Sequence, residues 1–524
     1  MTIEFIQPQP RHTARVHHAR AAAGNAAVAD EAAGVLRDAL SGTEDVARIL
    51  IKAAAGAGKS FVLARLVADA VEHPRCARVA IVAFTNKQIH PLAKSIGRSL
   101  GKDRVCLFVS KERVADVPED SAAHATVATK TADIPAQCVV VISTSHKLGA
   151  MGEANRLREH LGPSRHEDFV FDALFVDEAW QLPHHLFDKV AKFAPITVGV
   201  GDVGQLPPLE VGTNPWRGDP GYNPYRAWPT DFDGDERTWS VELPAVWRPA
   251  AGHLELWRAF YPEWGELDCV AAPGDRRLVV GPGMPDPVAR IWEQVGTGVP
   301  TLLEIDGLPD PEAADVDLPL MRAVESLLDA LLCVGFSLEH AEYDGTGTPT
   351  GRVLTSRPGD HGGDPLITIL ATRNQAVDDA TDVVERLRAE YSLDDTDIVA
   401  STVDSWQGQT NGITIAIHPL NSAVALDEFN SAFGRLAVTC TRATHGLLMV
   451  TRPGLGVLLG ESPARPGTPF GEPGNRQLPR QTHQRILETF ARATLEEPAG
   501  AEPDYTATTL RKGPSPAKSS GLRV

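Results

Sequence analysis

Short apolar runs alternate with amphipathic segments along the first half of the chain. From Val46 to about Pro244 the apolar runs read ARILIKA, RVAIVAFT, VCLFV, CVVVIST, DALFVDEA and ITVGVGD. Runs of this length suit strands that are buried on both faces of a sheet. The segments between them, such as 60–73, place apolar residues at helical spacing. The pattern predicts an α/β fold in which helices flank a mostly parallel sheet.

The alternation returns, less densely, in the second half of the chain. The runs PLITILAT, DIVASTVDSW, GITIAIHPL and LLMVT predict a second α/β unit of the same kind. Beyond about Pro453 the composition becomes rich in Pro, Gly and charged residues. The expected units are a mobile basic arm and an Ala-rich helix (1–44), a first domain (45–240), a second domain (241–455) with loop-rich insertions (270–364), and a C-terminal part (456–524) with a linker, one helix (about 481–496) and a disordered basic tail.

A loop of small residues follows the first apolar run. The stretch ILIKAAAGAGKSFVLARL reads as strand, loop and helix. In such a loop, consecutive backbone N–H groups and a helix N-terminus point at phosphates. Gly56, Ala57 and Gly58 let the main chain come close to a ligand. Lys59 can then reach the β and γ phosphates, and Ser60 can ligate Mg²⁺.

The loop departs from the phosphate-loop pattern G-x-x-x-x-G-K-[ST] at its first position. Ala53 stands where the pattern has a glycine. An alanine is compatible with the loop if φ is negative at that position. Taken alone, the stretch leaves open an ordinary strand-to-helix turn in an Ala-rich chain.

Two adjacent carboxylates end another apolar run. ALFVDEAWQLP places Asp177 and Glu178 at a strand end, where burial without a metal or solvent would be costly. Asp177 is suited to hold Mg²⁺, and Glu178 can orient and activate an attacking water. Because the carboxyl ends of parallel strands share one edge of a sheet, Lys59 and Asp177 should lie close together. A solvated surface turn is the alternative.

Composition limits the partners of the chain only weakly. The 524 residues carry a formal net charge of −18, which argues against wholesale coating of nucleic acid but allows a local basic channel. The six cysteines are far apart and form no C-x-x-C pair, which favours a reducing cytoplasm without disulfides. No apolar run approaches the ~18–20 residues of a membrane span, and the N-terminus lacks the apolar centre of a signal peptide.

The motifs together resemble a known family. The order GAGKS, VDEAWQ, GDVGQLPP resembles superfamily 1 helicases, especially the RNA-surveillance-type and RecD-like branch (1B). Further motifs in family order are VAFTNKQIHPLA, VVVISTSHKLG, LPAVWRP, TVDSWQGQTNGITIAI and RLAVTCTRATHGLLMV, so the resemblance spans about residues 45–452. It implies two RecA-like P-loop domains in tandem that bind ATP and Mg²⁺ between them and move along single-stranded DNA or RNA.

The resemblance also assigns roles to residues that are far apart in the sequence. It implies that Gln205 senses the γ-phosphate, that Arg248 contacts it and that Arg442 acts as an arginine finger, beside Lys59 and Glu178. Gln407 and Gly408 would join the nucleotide site to the nucleic-acid site. Contacts with the nucleic-acid backbone are implied at Thr85, Asn86, Thr144 and Thr402.

Three residues depart from the pattern of the family branch. Val246 replaces a glutamine, Trp247 a tyrosine and Gln409 a glutamate. Trp247 could stack on a purine or could be a core tryptophan. Gln409 and the acidic balance mildly favour a second hypothesis, a nucleotide-driven switch or remodelling subunit that acts on a partner protein without unwinding. The leading hypothesis is an ATP-dependent translocase or helicase.

An aromatic-rich stretch lies between the third strand motif and the second domain. Its side chains are Trp216, Arg217, Tyr222, Tyr225, Arg226 and Trp228. Aromatic rings beside arginines can stack on exposed bases. The same side chains can instead pack a Pro-rich loop against the body of the protein, and this alternative is favoured.

Overall fold

The computed structural model describes residues 3–9, 16–166, 168–204, 206, 208, 223–262, 264, 267–313, 315–427, 429–462 and 479–496. The α-helices in these ranges are α1 (His18–Ser41), α2 (Lys59–Glu72), α3 (Asn86–Leu100), α4 (Glu119–His124), α5 (Ser145–Leu148), α6 (Glu153–Leu161), α7 (His184–Ala191), α8 (Leu254–Phe260), α9 (Val288–Gly296), α10 (Leu318–Val334), α11 (Asn374–Tyr391), α12 (Phe433–Cys440), α13 (Leu455–Glu461) and α14 (Pro479–Leu487). None of these helices combines the length and the apolar content that a membrane crossing requires.

The strands of the same ranges are β1 (Arg48–Lys52), β2 (Val79–Ala83), β3 (Val105–Phe108), β4 (Thr126–Ala128), β5 (Val140–Thr144), β6 (Ala173–Asp177), β7 (Ile196–Gly201), β8 (Thr238–Glu242), β9 (Ala245–Val246), β10 (Asp268–Cys269), β11 (Arg276–Val280), β12 (Thr301–Asp306), β13 (Phe336–Tyr343), β14 (Pro349–Ser356), β15 (Ile367–Ala371), β16 (Ile398–Thr402), β17 (Asn411–Ile417), β18 (Ala443–Thr451) and β19 (Ala491–Glu496). Most of them belong to two parallel sheets.

The first sheet has eight strands in the order β4-β3-β5-β2-β6-β7-β1-β8, and every pairing is parallel. Helices α1, α2 and α3 bury their apolar side chains on one face, and α5, α6 and α7 cover the other. Strands β2, β3, β6 and β7 are buried along their whole length, as their continuous apolar runs predict. The α/β fold class is therefore confirmed. The sequence did not reveal β4 and β8, which are short or half-exposed edge strands.

The second sheet has six parallel strands in the order β16-β15-β17-β18-β12-β19. Helices α9, α10 and α11 cover one face. The other face packs with α12, α13 and α14 and with α8, within an apolar cluster that continues into the first sheet. The two sheets thus share a core through α8.

The stretch 270–364 holds more regular structure than the loop-rich insertions expected there. Besides α9 and α10 it contains β12 of the second sheet, and its remaining strands form an antiparallel sheet in the order β11-β13-β14. The side chains of β14 are exposed along almost the whole strand. It therefore has no buried face, and the alternating apolar pattern that marks a half-buried strand is missing.

The C-terminal helix expected over about 481–496 is wrong in its second half. Helix α14 ends at Leu487, and β19 then pairs with β12 at the edge of the second sheet. The side chains of β19 alternate between buried and exposed, which is the period of a strand. The second sheet thus continues beyond residue 455. Most of the predicted linker (461–481) and the whole of the predicted basic tail (from Pro503) lie outside the described residues.

Part of the N-terminal arm is ordered against this edge, contrary to the expectation of a mobile arm. The N–H of Ile6 donates to the carbonyl of Arg492 at 2.9 Å, and the N–H of Arg492 donates to the carbonyl of Ile6 at 3.0 Å. Ile3 is buried in the core of the second sheet. The arm is fixed because it supplies hydrogen bonds to an otherwise open strand edge.

Candidate active site

The loop between β1 and α2 adopts a conformation that requires two of its glycines. Gly56 has φ 74° and Gly58 has φ 93°, in the left-handed region that favours glycine. A Cβ atom on Gly56 would lie 2.3 Å from the Cβ of Arg248, so no other residue fits there. Ala53 is not among the residues with positive φ, and its N–H donates to the carbonyl of Gly201 at 2.8 Å. Alanine therefore meets the conformational demand at the first loop position.

Lys59 is the first residue of α2, and its ammonium group contacts the carboxylate of Glu178, which directly follows β6. Its Nζ lies 2.9 Å from Oε1 and 3.0 Å from Oε2 of Glu178. The two residues meet because β1 and β6 flank β7, so the loops at their carboxyl ends are neighbours. Glu178 itself has φ 49° and ψ 49°. A left-handed glutamate costs conformational energy and occurs mainly where function or tight packing requires it.

Asp177 ends β6 in a buried position directly before Glu178. Burial, followed by the charge of Glu178, raises the pKa of the Asp177 carboxyl to about 7, while Lys59 opposes this rise. A buried carboxyl of this kind is stabilised in its ionised form by a nearby cation. The carboxylate of Asp177 and the hydroxyl of Ser60 in the first turn of α2 are ligand types that Mg²⁺ prefers, so the residues fit this ion.

Two arginines that follow the last strand of the first sheet along the chain approach the loop. The backbone N–H groups of Trp247 and Arg248 donate to the carbonyl of Gly56 at 2.8 and 3.3 Å. Nη1 of Arg248 donates to the carbonyl of Thr441 at 3.3 Å, and Nη2 of Arg442 donates to the hydroxyl of Thr441 at 2.8 Å. The two guanidinium groups therefore share Thr441 as a support.

Burial lowers the pKa of both arginines, although the carboxylates of Asp202 and Glu178 attract each of them. Burial, followed by the like charge of Arg442, lowers the pKa of Arg248 to about 9. Burial also lowers the pKa of Arg442, against the attraction of Asp202. Nε of Arg442 has no hydrogen-bond partner within the described ranges. Such a buried cationic pair is suited to an anionic ligand.

One cavity of about 990 Å³ is lined by Lys59, Ser60, Glu178, Arg248 and Arg442 together with further residues. Its wall combines residues of the loop after β1 and of the segment after β6 with residues that precede β15, β17 and β18 and with part of the antiparallel sheet. Among them are the sequence-predicted residues Gly56, Gly58, Lys59, Ser60, Glu178, Arg248, Gly408 and Arg442. Ala57, Asp177 and Gln407 do not line it, and Gln205 lies outside the described residues.

Residues 37–210 match a family model described as AAA domain. The match covers the P-loop and strands β1 to β7 of the first sheet. It ends at residue 210, so the second sheet lies outside the match.

Several solved structures resemble the chain at low identity. One is the arterivirus nonstructural protein 10 (helicase) with DNA, at 15% identity and TM-score 0.38, over 79% of this chain and 63% of that one. Another is the DUF1998 helicase MrfA bound to DNA and AMPPNP, at 10% identity and TM-score 0.39, over 86% and 53%. The chain thus spans less than two thirds of these proteins, and TM-scores below 0.5 carry no weight for its function. No curated protein matches the chain.

The residues proposed to contact nucleic acid lie outside the cavity. Thr85 caps α3 through a capping box with Gln88, and Thr144 caps α5 by accepting the N–H of Lys147 at 3.2 Å. Both threonines follow neighbouring strands, β2 and β5, so they share the carboxyl edge of the first sheet. Thr402 ends β16 at the corresponding edge of the second sheet. Asn86 is the first residue of α3.

In the described part of the aromatic-rich stretch, Arg226 and Trp228 are buried and Tyr225 is half-buried. The ring of Trp228 is fully buried and stacks on Phe187 at a centroid distance of 4.0 Å. Tyr225 contacts the ring of His185 at 5.3 Å, and Arg226 forms an ion pair with Asp231. Packing is thus confirmed for these three residues of the stretch. Trp216, Arg217 and Tyr222 lie outside the described residues.

For Trp247 the sequence left two alternatives open, a ring available to a ligand and a ring in the core, and the structure shows features of both. The half-buried ring lines the cavity, and it also packs against an apolar cluster that includes Ala21, Ala22 and Val270. Val246 is fully buried in β9.

The sequence did not reveal the side chains that support the P-loop by hydrogen bonds to its backbone. Nδ2 of Asn25 on α1 donates to the carbonyls of Ala57 and Ala245, both at 2.8 Å, and its Oδ1 accepts the N–H of Ala245 at 2.9 Å. Trp257 in α8 and Tyr261 directly after it form hydrogen bonds with the backbone of Ala55. The one available signal was Asn25, an isolated polar residue on the inner face of an Ala-rich helix.

Proposed function

We propose that the chain is an ATP-dependent nucleic-acid translocase that hydrolyses ATP in the cleft between its two sheets and moves along single-stranded DNA or RNA. The observation that carries the proposal is the meeting of Lys59 and Glu178 with Arg248 and Arg442 in one cavity. We further propose that the two sheets correspond to the domains 45–240 and 241–455, with β19 added to the second.

The first sheet would bind the triphosphate. The loop with Gly56, Ala57 and Gly58 offers backbone N–H groups at the N-terminus of α2, where an anion is favoured. Lys59 would exchange its present partner Glu178 for phosphate oxygens, and the released Glu178 carboxylate would accept a proton from the attacking water. Ser60 and Asp177 would hold Mg²⁺, which when bound neutralises charge on the phosphates.

The second sheet would complete the site. Arg248 and Arg442 would place two guanidinium groups where negative charge develops on the γ-phosphate during transfer, and such groups match phosphate geometry. Gln205 as γ-phosphate sensor and Gln407 and Gly408 as links to the nucleic-acid site are proposed on family resemblance.

The carboxyl edges of both sheets would hold the strand. Thr85, Asn86, Thr144 and Thr402 can donate hydrogen bonds to backbone phosphates without reading bases. Near Thr402, the ring of Phe429 is 37% exposed, and the guanidinium groups of Arg435 and Arg373 lie 4.2 and 5.1 Å from its centre. Rings and guanidinium groups of this kind suit an unpaired strand.

One observation favours the alternative, a nucleotide-driven switch acting on a partner protein. The side chain of Gln409 is exposed and donates to the carbonyl of Ser405 at 3.4 Å, while Arg442 touches only its backbone carbonyl, at 3.5 Å. Gln409, which stands where the family pattern has a glutamate, therefore offers no charged group to the site.

Steady-state ATP hydrolysis with single-stranded DNA, single-stranded RNA and no nucleic acid distinguishes the two functions. The translocase predicts hydrolysis stimulated at least about tenfold by one of the strands, together with displacement of a labelled complementary strand. Hydrolysis that ignores both nucleic acids would favour the switch, and absence of hydrolysis under all three conditions would refute both.

A further inference from the structure

The middle of the P-loop is held by two side chains, one from α8 and one from the residue that follows it. The indole Nε1 of Trp257 donates to the carbonyl of Ala55 at 2.8 Å. The N–H of Ala55 donates to the phenol oxygen of Tyr261 at 3.2 Å. Ala55 and both aromatic residues are buried, so water does not replace these bonds. The conformation of the loop at Ala55 thus depends on residues about 200 positions away, at sequence separations of 202 and 206.

The hydroxyl of Tyr261 connects this loop to the segment that follows β7. Because a backbone N–H can only donate, the phenol oxygen accepts from Ala55, and its single proton is free for another acceptor. That acceptor is Oδ1 of Asp202, at 2.8 Å. The same carboxylate oxygen accepts the N–H of Gly204 at 2.9 Å. Since β1 and β7 are adjacent, one hydroxyl joins the loops that leave two neighbouring strands.

The ring of Tyr261 has little freedom to move away from this position. A Cβ atom on Gly204 would lie 2.5 Å from its Cε1, so the glycine is what admits the ring. On the other side, Trp264 stacks on the ring at a centroid distance of 4.6 Å and an angle of 25°. The phenol oxygen is therefore fixed between Ala55 and Asp202.

We propose that Tyr261 is a positioning residue that holds the P-loop ready for nucleotide and couples it to the loop after β7. The inference rests on the proposed nucleotide site. Its physical basis is preorganisation, because a loop that is ordered before binding does not lose conformational freedom when the phosphates arrive. Without the hydroxyl, the bound nucleotide must order the loop, so affinity falls while the chemistry of the bound complex is kept.

The substitution Tyr261→Phe removes the hydroxyl and keeps the ring. We expect it to raise the KM for ATP and the Kd of a non-hydrolysable ATP analogue about tenfold, the effect of losing the buried hydrogen bond between Ala55 of the loop and the hydroxyl. We expect kcat to stay within about threefold of wild type, because phosphates order the loop once bound. A merely structural role would lower the folded fraction, and thus the apparent kcat, with KM unchanged.

Two further variants separate the hydrogen bonds from the packing. Trp257→Phe removes the other bond to Ala55 and should raise KM in the same direction. Trp264→Phe keeps an aromatic ring on Tyr261 and leaves every hydrogen bond of the loop intact, so it should behave as wild type. A raised KM in Trp264→Phe alone would overturn the inference.

Hydrogen exchange of the nucleotide-free protein tests the inference without any activity. The amide of Ala55 should exchange at least about tenfold faster in Tyr261→Phe than in wild type, since its acceptor is lost. Asp202→Asn should change this rate only when Tyr261 is present, because the hydroxyl is the connection. If wild type binds no nucleotide, the proposed function fails and exchange still decides the inference. Wild-type exchange and wild-type KM in Tyr261→Phe would overturn it.

Discussion

The two parallel sheets face the cleft with opposite ends. The first sheet presents its carboxyl ends, where the P-loop leaves β1 and Glu178 follows β6. The second sheet presents its amino ends, since Arg442 directly precedes β18, Asn411 begins β17 and Leu366 directly precedes β15. The cleft therefore combines two kinds of loop that have different chemical properties.

The two sheets therefore supply different chemical groups to the site. The carboxyl ends of the first sheet supply glycine backbone, a lysine and carboxylates, which are groups that bind phosphate and metal and activate water. The amino ends of the second sheet, with Arg248, supply guanidinium groups whose pKa is lowered by burial, so that added negative charge stabilises their charged form. Binding should accordingly depend on the first sheet, whereas hydrolysis should need both.

The largest effect should come from Lys59→Ala on the first sheet. This substitution removes the ammonium group that would neutralise the phosphates and leaves Glu178 without its partner. We expect nucleotide binding and hydrolysis both to fall to background in calorimetry and phosphate-release assays. Lys102→Ala, at an exposed position away from the cavity, is the matched control and should change neither. Near-normal turnover in Lys59→Ala would contradict the assignment of the P-loop.

Glu178→Gln should separate binding from hydrolysis on the same sheet. The amide cannot accept a proton from water, so hydrolysis should fall by about 10²–10⁴, the usual contribution of a general base. Nucleotide affinity should be kept or raised, because Lys59 loses a competing carboxylate. Glu72→Gln, on the exposed side of α2, is the control. Hydrolysis within threefold of wild type would remove Glu178 from the mechanism.

The sequence predicted the structure best where a buried strand and the candidate functional residues lie in one short segment. The strands β1, β6 and β7 and the residues Lys59, Asp177 and Glu178 could be predicted because each motif joins a buried strand directly to its functional loop. The antiparallel sheet β11-β13-β14 could not, because β14 is exposed and carries no periodic apolar face. Nothing in a local pattern revealed β19 as the edge strand of the second sheet.

The support of the P-loop was also hidden from sequence reasoning, for a different reason. Asn25 and Tyr261 reach the loop across 32 and 206 residues, and their contacts exist only after the helices have packed. A helix rich in alanine suggests close packing but not its partner. Residues that position a loop are therefore harder to find than residues that act on the ligand.

The smallest of these effects should come from Asn25→Ala, which tests the P-loop support on the α1 side. The substitution leaves the carbonyls of Ala57 and Ala245 and one N–H without their partner. We expect the free energy of unfolding in urea to fall by about 1–3 kcal/mol, the cost of unpaired buried polar groups. Gly34→Ala on the same helix, where a Cβ has open space, should be neutral or stabilising. Equal stability of both variants would contradict the role of Asn25.

Single-turnover hydrolysis by Arg442→Lys tests most directly whether the second sheet completes the site. Lysine keeps the positive charge but loses the planar fork that matches phosphate. With saturating ATP and single-stranded nucleic acid, we predict a rate lower by about 10³, the order of an arginine-finger contribution, at unchanged nucleotide affinity. A rate equal to wild type would show that the first sheet acts alone and would contradict the shared cleft.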